Sequence, residues 1–349
     1  MQSTRRVTLT DVASRAGVST TTASYILNGR SAQMRIHPDT EKRVREAVAE
    51  LDYRPNRTAR NLRTASTKTI GLISDFLAGG HYARQMLIGA AAAARDSNHL
   101  LMIGETDGDP AVEALYIEEM LDRQVDGIIY ATRTNSRVRI PDSLRGMRTV
   151  MLNCVDPFSN LHAVVPDEEG GGALATRILL DAGVSGDLYV VGEDPTPNAL
   201  AGPERLRGIH AALALHGREL AGVVACDWSV GPAYDALSAF LAGGGRPAGL
   251  FCLNDRVAMG VYQALAERDL RVPDDVAVVS FDGSELATWL RPPVVSVALP
   301  FAELGSLAVE LLVEPTGPRP GVTRVAMSVH GGSSAGAPDR RQPAGAPLL

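Results

Sequence analysis

Residues 9–29 read LTDVASRAGVSTTTASYILNG, and their spacing predicts two short helices joined by a tight turn. Leu9, Val12, Ala13 and Ala16 recur at helical intervals, and Asp11 suits the positive end of a helix dipole. Gly17 fits the sharp reversal after a helix, and Ser19 is a good N-cap for the next one. On that second helix Ala23, Ile26 and Leu27 share one side. Thr21, Ser24, Tyr25 and Asn28 leave the other side rich in hydrogen-bonding groups and free of acids. A helix this short buries only a narrow stripe, so a neighbour must pin it, and small residues let the two cross closely. This is the layout of a helix-turn-helix, whose second helix enters the major groove of duplex DNA. A generic three-helix bundle is the plainer alternative.

A third helix is expected beyond it. Val44, Val48 and Leu51 line one face and Pro38 fits its first turn. Lys42, Arg43 and Arg45 on the other faces can meet phosphates or water. Next comes RPNRTARNLRT, in which Arg54, Arg57, Arg60 and Arg63 repeat every third residue around a nearly solitary Leu62. Such a segment cannot bury enough surface to fold alone and should order only against DNA; a plain basic linker is the alternative.

Up to Thr69 the chain carries 13 Lys and Arg against 6 Asp and Glu, whereas the remainder has 21 against 34. A small basic head on a large acidic body points to a polyanion-binding module with another domain attached. The whole chain has 349 residues, a net charge of −6 and 45% hydrophobic residues, enough for two or three domains with ordinary cores. No apolar run is long enough to span a membrane, and MQSTRRVTLTDVASRAGV lacks the apolar core of a signal peptide. Cys154, Cys226 and Cys252 are odd in number and far apart, which argues against disulfides or a zinc site and suits a reducing cytoplasm. No metal or cofactor is expected.

From Thr69 onward strand-like runs (TIGLISD, HLLMIGE, GIIYAT, RTVMLN, DLYVVGE, GVVACDW, GLFCLND, VAVVSFD) alternate with helical ones. That alternation predicts parallel sheets covered on both sides. About ten strands are too many for one compact sheet, so two similar doubly wound lobes are expected, with ligands held between them at the strands' carboxyl ends. Polar residues stand at those ends: Asp75, Asn153, Asn254, Asp255 and Asp282, with Trp228 as an aromatic platform. Carboxylates and amides accept hydroxyl hydrogens and a ring stacks on C–H faces, which suits a polyhydroxylated ligand. The plainer readings are an N-cap for Asp255, a turn for Asp75 and core filling for Trp228.

The stretches VTLTDVASRAGVSTTTASYILNG and TEKRVREAVAELDYRPNRTARNLRT resemble the DNA-binding head of the lactose-repressor (LacI/GalR) family. PDEEGGGALATRILLDAG, ERLRG, FCLNDRVAMGVYQALAERDLRVPDDVAVVSFDG and PPVVSVALPFAELG resemble its periplasmic-binding-protein-like core. The resemblance implies that Thr20, Thr21 and Tyr25 read base edges while Ser19 and Ser24 help hold the backbone. Tyr25 stands where many relatives carry arginine. It further implies a hinge helix in the minor groove, with Leu62 as a wedge between base steps and Ala59 allowing close approach. His37 replaces the usual serine cap, so a ragged start to the third helix is expected. By position Arg205, Asn254 and Asp282 match effector-binding residues, Trp228 lies in a D-W-S setting like that of the lactose repressor, and Asn153 and Tyr82 match first-lobe pocket positions. The implied protein is a cytoplasmic homodimeric repressor that binds a pseudo-palindromic operator under control of a small molecule. That effector is a sugar in the first reading and another metabolite, acting as corepressor, in the second.

Two motifs point elsewhere. Residues 332–336 (GSSAG) fit a nucleophile elbow, but a Pro/Gly-rich tail follows in place of a helix. Residues 170–175 (GGGALA) fit a dinucleotide-binding turn, but Asp167, Glu168 and Glu169 would repel a pyrophosphate. A periplasmic sugar-binding protein would share the body but not the basic head. The expected architecture is an all-α helix-turn-helix head (1–53), a hinge helix and linker (54–68), an α/β body of two parallel-sheet lobes (69–330), and a disordered tail (331–349).

Overall fold

The computed structural model describes residues 7–53, 66–75, 81–193, 198–314, 316–317 and 319–336, without the side chains of residues 81–83. It divides into two compact units, residues 1–67 and residues 68–349.

The first unit holds α1 (Leu9–Ala16), α2 (Thr20–Leu27) and α3 (Pro38–Glu50). Thr8 and Asp11 close a reciprocal capping box on α1, satisfying amides at the helix start. Gly17 then adopts φ 64° and returns its N–H to the end of α1. Ser19 caps α2 by accepting from the Thr22 N–H at 3.0 Å. Val12, Ala13, Ala16, Ala23, Ile26, Val44 and Ala47 form the buried core. The third helix does not start raggedly: His37 Nδ1 accepts the Asp39 N–H at 3.3 Å and Pro38 occupies the first turn. An imidazole nitrogen thus does the work of a serine hydroxyl.

The second unit contains two six-stranded sheets, ordered β11-β5-β4-β3-β1-β2 and β12-β10-β9-β8-β6-β7. The first lobe's strands are β1 (Thr69–Ser74), β2 (Leu100–Glu105), β3 (Gly127–Arg137), β4 (Thr149–Val155), β5 (His162–Pro166) and β11 (Gly321–Val325). The second lobe's are β6 (Leu188–Val191), β7 (Gly222–Val224), β8 (Gly249–Cys252), β9 (Ala277–Asp282), β10 (Val295–Ala298) and β12 (Ser328–His330). Each sheet is buried on both faces. In the first lobe, helices His81–Asp96 and Phe301–Val313 cover one face and Pro110–Asp122 packs on the other. In the second, Val230–Ala242 and Asp255–Ala266 cover one face, and Glu168–Asp181 and Ala201–Leu215 the other.

The chain passes between the lobes after β5, after β10 and after β11. A non-covalent link adds to these passages. β3 overruns its sheet, and the Arg137 N–H donates to the Asn198 carbonyl at 2.9 Å while the Leu200 N–H donates to Asn135 at 2.8 Å. Ser136 and Ala199 thereby form an antiparallel bridge.

Two further sequence expectations need correction, and two rejected motifs prove to be packing devices. Strand β10 was not foreseen, nor were β11 and β12, the last of which runs antiparallel to β10. The latter two are short and mostly exposed, so no buried alternation announces them. Residues 331–336, expected to open a disordered tail, are packed onto the second lobe. Ser334 there is fully buried, donates its hydroxyl to the Val278 carbonyl at 2.5 Å and accepts the Val295 N–H at 2.8 Å. It is a sheet fastener, not a nucleophile. The glycines at 170–172 lie inside the helix Glu168–Asp181, not in a phosphate loop. A Cβ on Gly172 would lie 2.1 Å from the Arg205 carbonyl oxygen, and one on Gly208 would lie 1.9 Å from that of Glu169. These glycines let two helices cross with their backbones touching.

Candidate functional site

On α2, Thr20 and Thr21 are exposed and Tyr25 is half-buried. Ser24 is engaged within the helix: Asn28 Nδ2 donates to its carbonyl at 2.6 Å and approaches its hydroxyl at 3.3 Å. Asn28 is therefore the C-cap of α2, and its amide is partly occupied there. The basic side chains of α3 are mostly paired, Arg45 with Glu41 at 2.5 Å and Lys42 with Glu46 at 4.0 Å, whereas Arg43 is exposed. Arg57, Ala59, Leu62 and Arg63 lie outside the described residues.

In the body, the glycine-mediated helix crossing brings Arg205 against Glu168, Nε to Oε2 at 2.7 Å, with both side chains at most 2% exposed. Arg205 Nη1 also donates to the Leu253 carbonyl at 2.5 Å. Its guanidinium carbon lies 5.3 Å from the Trp228 ring centroid and 4.5 Å from that of Phe281. Asn254 caps the helix Asp255–Ala266, with Oδ1 accepting the Val257 N–H at 2.7 Å, and its Nδ2 reaches the Trp228 carbonyl at 3.3 Å. Asp282 follows Phe281 at the end of β9 with φ 107°, a conformation that costs a non-glycine residue energy and is kept where the surroundings enforce it. Arg205, Trp228 and Asn254 thus form one constellation in the second lobe, with Asp282 next in the chain to the Phe281 ring that flanks Arg205. Trp228 lies beyond its strand, since β7 ends at Val224.

Asp255, the neighbouring acid, is neither the N-cap nor a ligand-facing group. It accepts from the Ser284 N–H and hydroxyl at 2.8 Å each, from Ser296 at 2.8 Å, and from Ser280. Burial raises its pKa while those donors lower it.

The first lobe contributes Asp75 and Asn153. Asp75 Oδ1 accepts the Arg133 N–H at 2.8 Å, and burial pushes its carboxyl above the ordinary value. Asn153, with φ 59°, donates Nδ2 to the carbonyls of Thr132 and Arg133 at 3.0 and 3.1 Å. Both therefore brace the 132–134 segment that leads into the β3 overrun. Tyr82 lies in the first turn of His81–Asp96, but its side chain is outside the described residues.

The sequence reading missed Asn135 and Glu168. Asn135 is 2% exposed and its amide neighbours the Glu168 carboxyl, which burial pushes above its ordinary value while Arg205 and, more weakly, Asn135 pull it back. Among the described residues of the body, Asn135 Oδ1 and Nδ2, Asn153 Oδ1, Glu168 Oε1 and Trp228 Nε1 are buried without a hydrogen-bond partner, as is Ser31 Oγ in the head. Buried polar atoms are satisfied in nearly every native structure, so the set in the body marks where a polar ligand or ordered water is received. An acid beside a run of glycines was the available signal for Glu168.

A head built on a helix-turn-helix and a body of two linked parallel-sheet lobes define a two-part architecture, and the comparisons match both parts. Residues 8–56 match the bacterial regulatory proteins of the lacI family, and residues 176–334 match the periplasmic binding protein-like domain. The ribose operon repressor of Escherichia coli (strain K12) is 32% identical over 312 residues, covering 88% of this chain and 92% of the relative. The HTH-type transcriptional repressor PurR of Vibrio parahaemolyticus (serotype O3:K6) is 31% identical, covering 88% and 91%. The lac repressor dimer bound to operator and the anti-inducer ONPF shares the fold, with TM-score 0.78 and 24% identity over 95% of this chain and 100% of the other. The chain belongs to the LacI family of bacterial regulatory proteins, whose members are transcriptional regulators and not enzymes. Among the described residues no helix is long and apolar enough to cross a membrane.

Proposed function

We propose that the chain is an operator-binding transcriptional repressor whose grip on DNA is set by a polyhydroxylated small molecule held between the two lobes. Thr20, Thr21 and Tyr25 read base edges from α2, Ser19 and Ser24 hold its backbone, and Arg57, Ala59, Leu62 and Arg63 form the minor-groove hinge. Asp75, Tyr82 and Asn153 from the first lobe and Arg205, Trp228, Asn254 and Asp282 from the second receive the effector. The observation that carries this reading is a run of neighbouring groups with orphaned buried polar atoms, Asn135 beside Glu168, Glu168 paired with Arg205, and Arg205 over the Trp228 ring. The acceptors suit hydroxyls, and the indole suits a C–H face.

The working unit is a homodimer. Ile88, Leu100, Ile103 and Leu115 are exposed apolar side chains on β2, an edge strand, and on the two helices that flank it. Apolar exposure along one edge is the mark of an association surface, and a two-fold protein matches a two-fold operator. Effector binding favours one arrangement of the lobes and so shifts the hinge segments, by linkage. An inducer loosens them and a corepressor tightens them.

The test is fluorescence anisotropy of the full chain on pseudo-palindromic duplexes selected from a random pool, titrated with neutral sugars. Specific binding that a sugar strengthens or weakens is expected, and Arg205→Met should abolish that response while leaving operator affinity. A response unchanged in Arg205→Met would move the effector site elsewhere.

A further inference from the structure

The Glu168–Arg205 pair bears on what kind of effector fits, and so rests on the effector site proposed above. Arg205 is the cation at the centre of the constellation, flanked by Trp228 and Phe281. An isolated buried guanidinium in that position would draw a phosphate or carboxylate, because paired N–H donors match those anions. Here its Nε is already spent on Glu168 Oε2 at 2.7 Å, and its Nη1 on the Leu253 carbonyl at 2.5 Å. The remaining oxygen of Glu168, Oε1, is buried and unpartnered, and so are both polar atoms of the neighbouring Asn135 amide.

We infer that Glu168 sets the charge preference of the effector site. It cancels Arg205 and offers Oε1 to a hydroxyl hydrogen, so that the site admits uncharged polyhydroxylated molecules and rejects phosphorylated or carboxylated ones. An anion entering beside Glu168 would meet a carboxylate already paired with Arg205 in a low-dielectric setting, where like charges repel strongly. A neutral polyol meets an acceptor at Glu168 and both a donor and an acceptor at Asn135. The glycine crossing is what makes this possible, since Gly172 and Gly208 bring the two helices close enough for the acid of one to reach the arginine of the other.

The experiment compares the full-length chain with Glu168→Gln by thermal shift and calorimetry. The probes are inorganic phosphate, D-ribose and D-glucose, and the phosphate esters of both sugars, all at matched ionic strength. The parent should show no stabilisation by phosphate or by either ester. Glu168→Gln keeps the shape and removes the charge, so phosphate at about ten times its dissociation constant should raise the melting temperature of that variant by roughly 3 °C. The double variant Glu168→Gln/Arg205→Met should lose this gain. Tighter binding of an ester than of its parent sugar to the unmodified chain would overturn the inference. So would a folded Glu168→Gln, verified by circular dichroism, that ignores phosphate. If Glu168→Gln does not fold, the comparison of sugar with ester on the parent decides alone. A sugar response that survives Arg205→Met would instead overturn the effector site itself, which keeps the two failures apart.

Discussion

At the scale of single residues, the most informative atoms are those whose geometry conflicts with their identity. Asp282 holds φ 107°, where glycine is at ease and other residues are strained by about 1–3 kcal/mol. Glycine normally weakens a strand relative to alanine. At this position the order should invert, with Asp282→Gly more stable than Asp282→Ala by about 1 kcal/mol in urea denaturation while both lose effector response. The usual order would show that the backbone is unstrained there. The cysteines give a second residue-scale test. Burial pushes the Cys154 thiol up to about 12 and the Cys226 thiol up to about 11, and Cys252 well above its ordinary value. At pH 8 only about one Cys226 in a thousand is then a thiolate, the reactive form. Iodoacetamide should label none of the three until the chain is unfolded, and rapid labelling of the native chain would contradict that. Asn254 and Ser19 were legible as polar residues at a strand end and a helix start because capping is local chemistry. Glu168 was not, because its role depends on an arginine 37 positions away.

At the scale of elements, helices and buried strands were legible where the apolar period was strong, as in α1, β1, β8 and β9. Apart from β10, the misses have a common cause. The β3 overrun, β11 and β12 carry polar or exposed residues, and their backbone partners are distant in sequence, so nothing in their own composition marks them as strands. The glycine run at 170–172 was legible as unusual, and its flanking acids already spoke against a phosphate turn, but its packing role was not legible until the partner helix supplied Gly208. That crossing makes a definite prediction. Gly208→Ala places a Cβ 1.9 Å from the Glu169 carbonyl oxygen, so the helices must separate, at about 1–3 kcal/mol, and Arg205 must draw away from Glu168. Gly231→Ala is the control: it lies in the first turn of Val230–Ala242, nothing stands within 4 Å of the added carbon, and it should be neutral or slightly stabilising. Equal losses in the two variants, measured by urea denaturation, would remove the packing argument.

At the scale of the whole molecule, the two-lobed body was legible from the number of strands, but how the lobes hold each other was not. Chain connectivity alone would leave them free to pivot on the three passages between them. The antiparallel bridge between Ser136 and Ala199 adds a fastening that lies between the Asn153-braced 132–134 segment and the start of the Arg205 helix, so any change of lobe angle must stretch or break it. Its hydrogen bonds run from Arg137 to Asn198 and from Leu200 to Asn135, which makes Ser136 and Ala199 a non-hydrogen-bonded pair, the closely spaced kind whose side chains stand near each other. Such a pair suits a disulfide. In Ser136→Cys/Ala199→Cys, mild oxidation should close the new bond while the three native thiols stay protonated. Closing so long a loop should raise stability by about 4 kcal/mol. Lobe angle should then be fixed, so operator affinity should stop responding to effector when the bond is closed and recover its response on adding dithiothreitol. A bond that forms yet leaves the response intact would show that the signal reaches the hinges without any movement at this fastening. A pair that refuses to oxidise would show that the two segments do not lie side by side in solution.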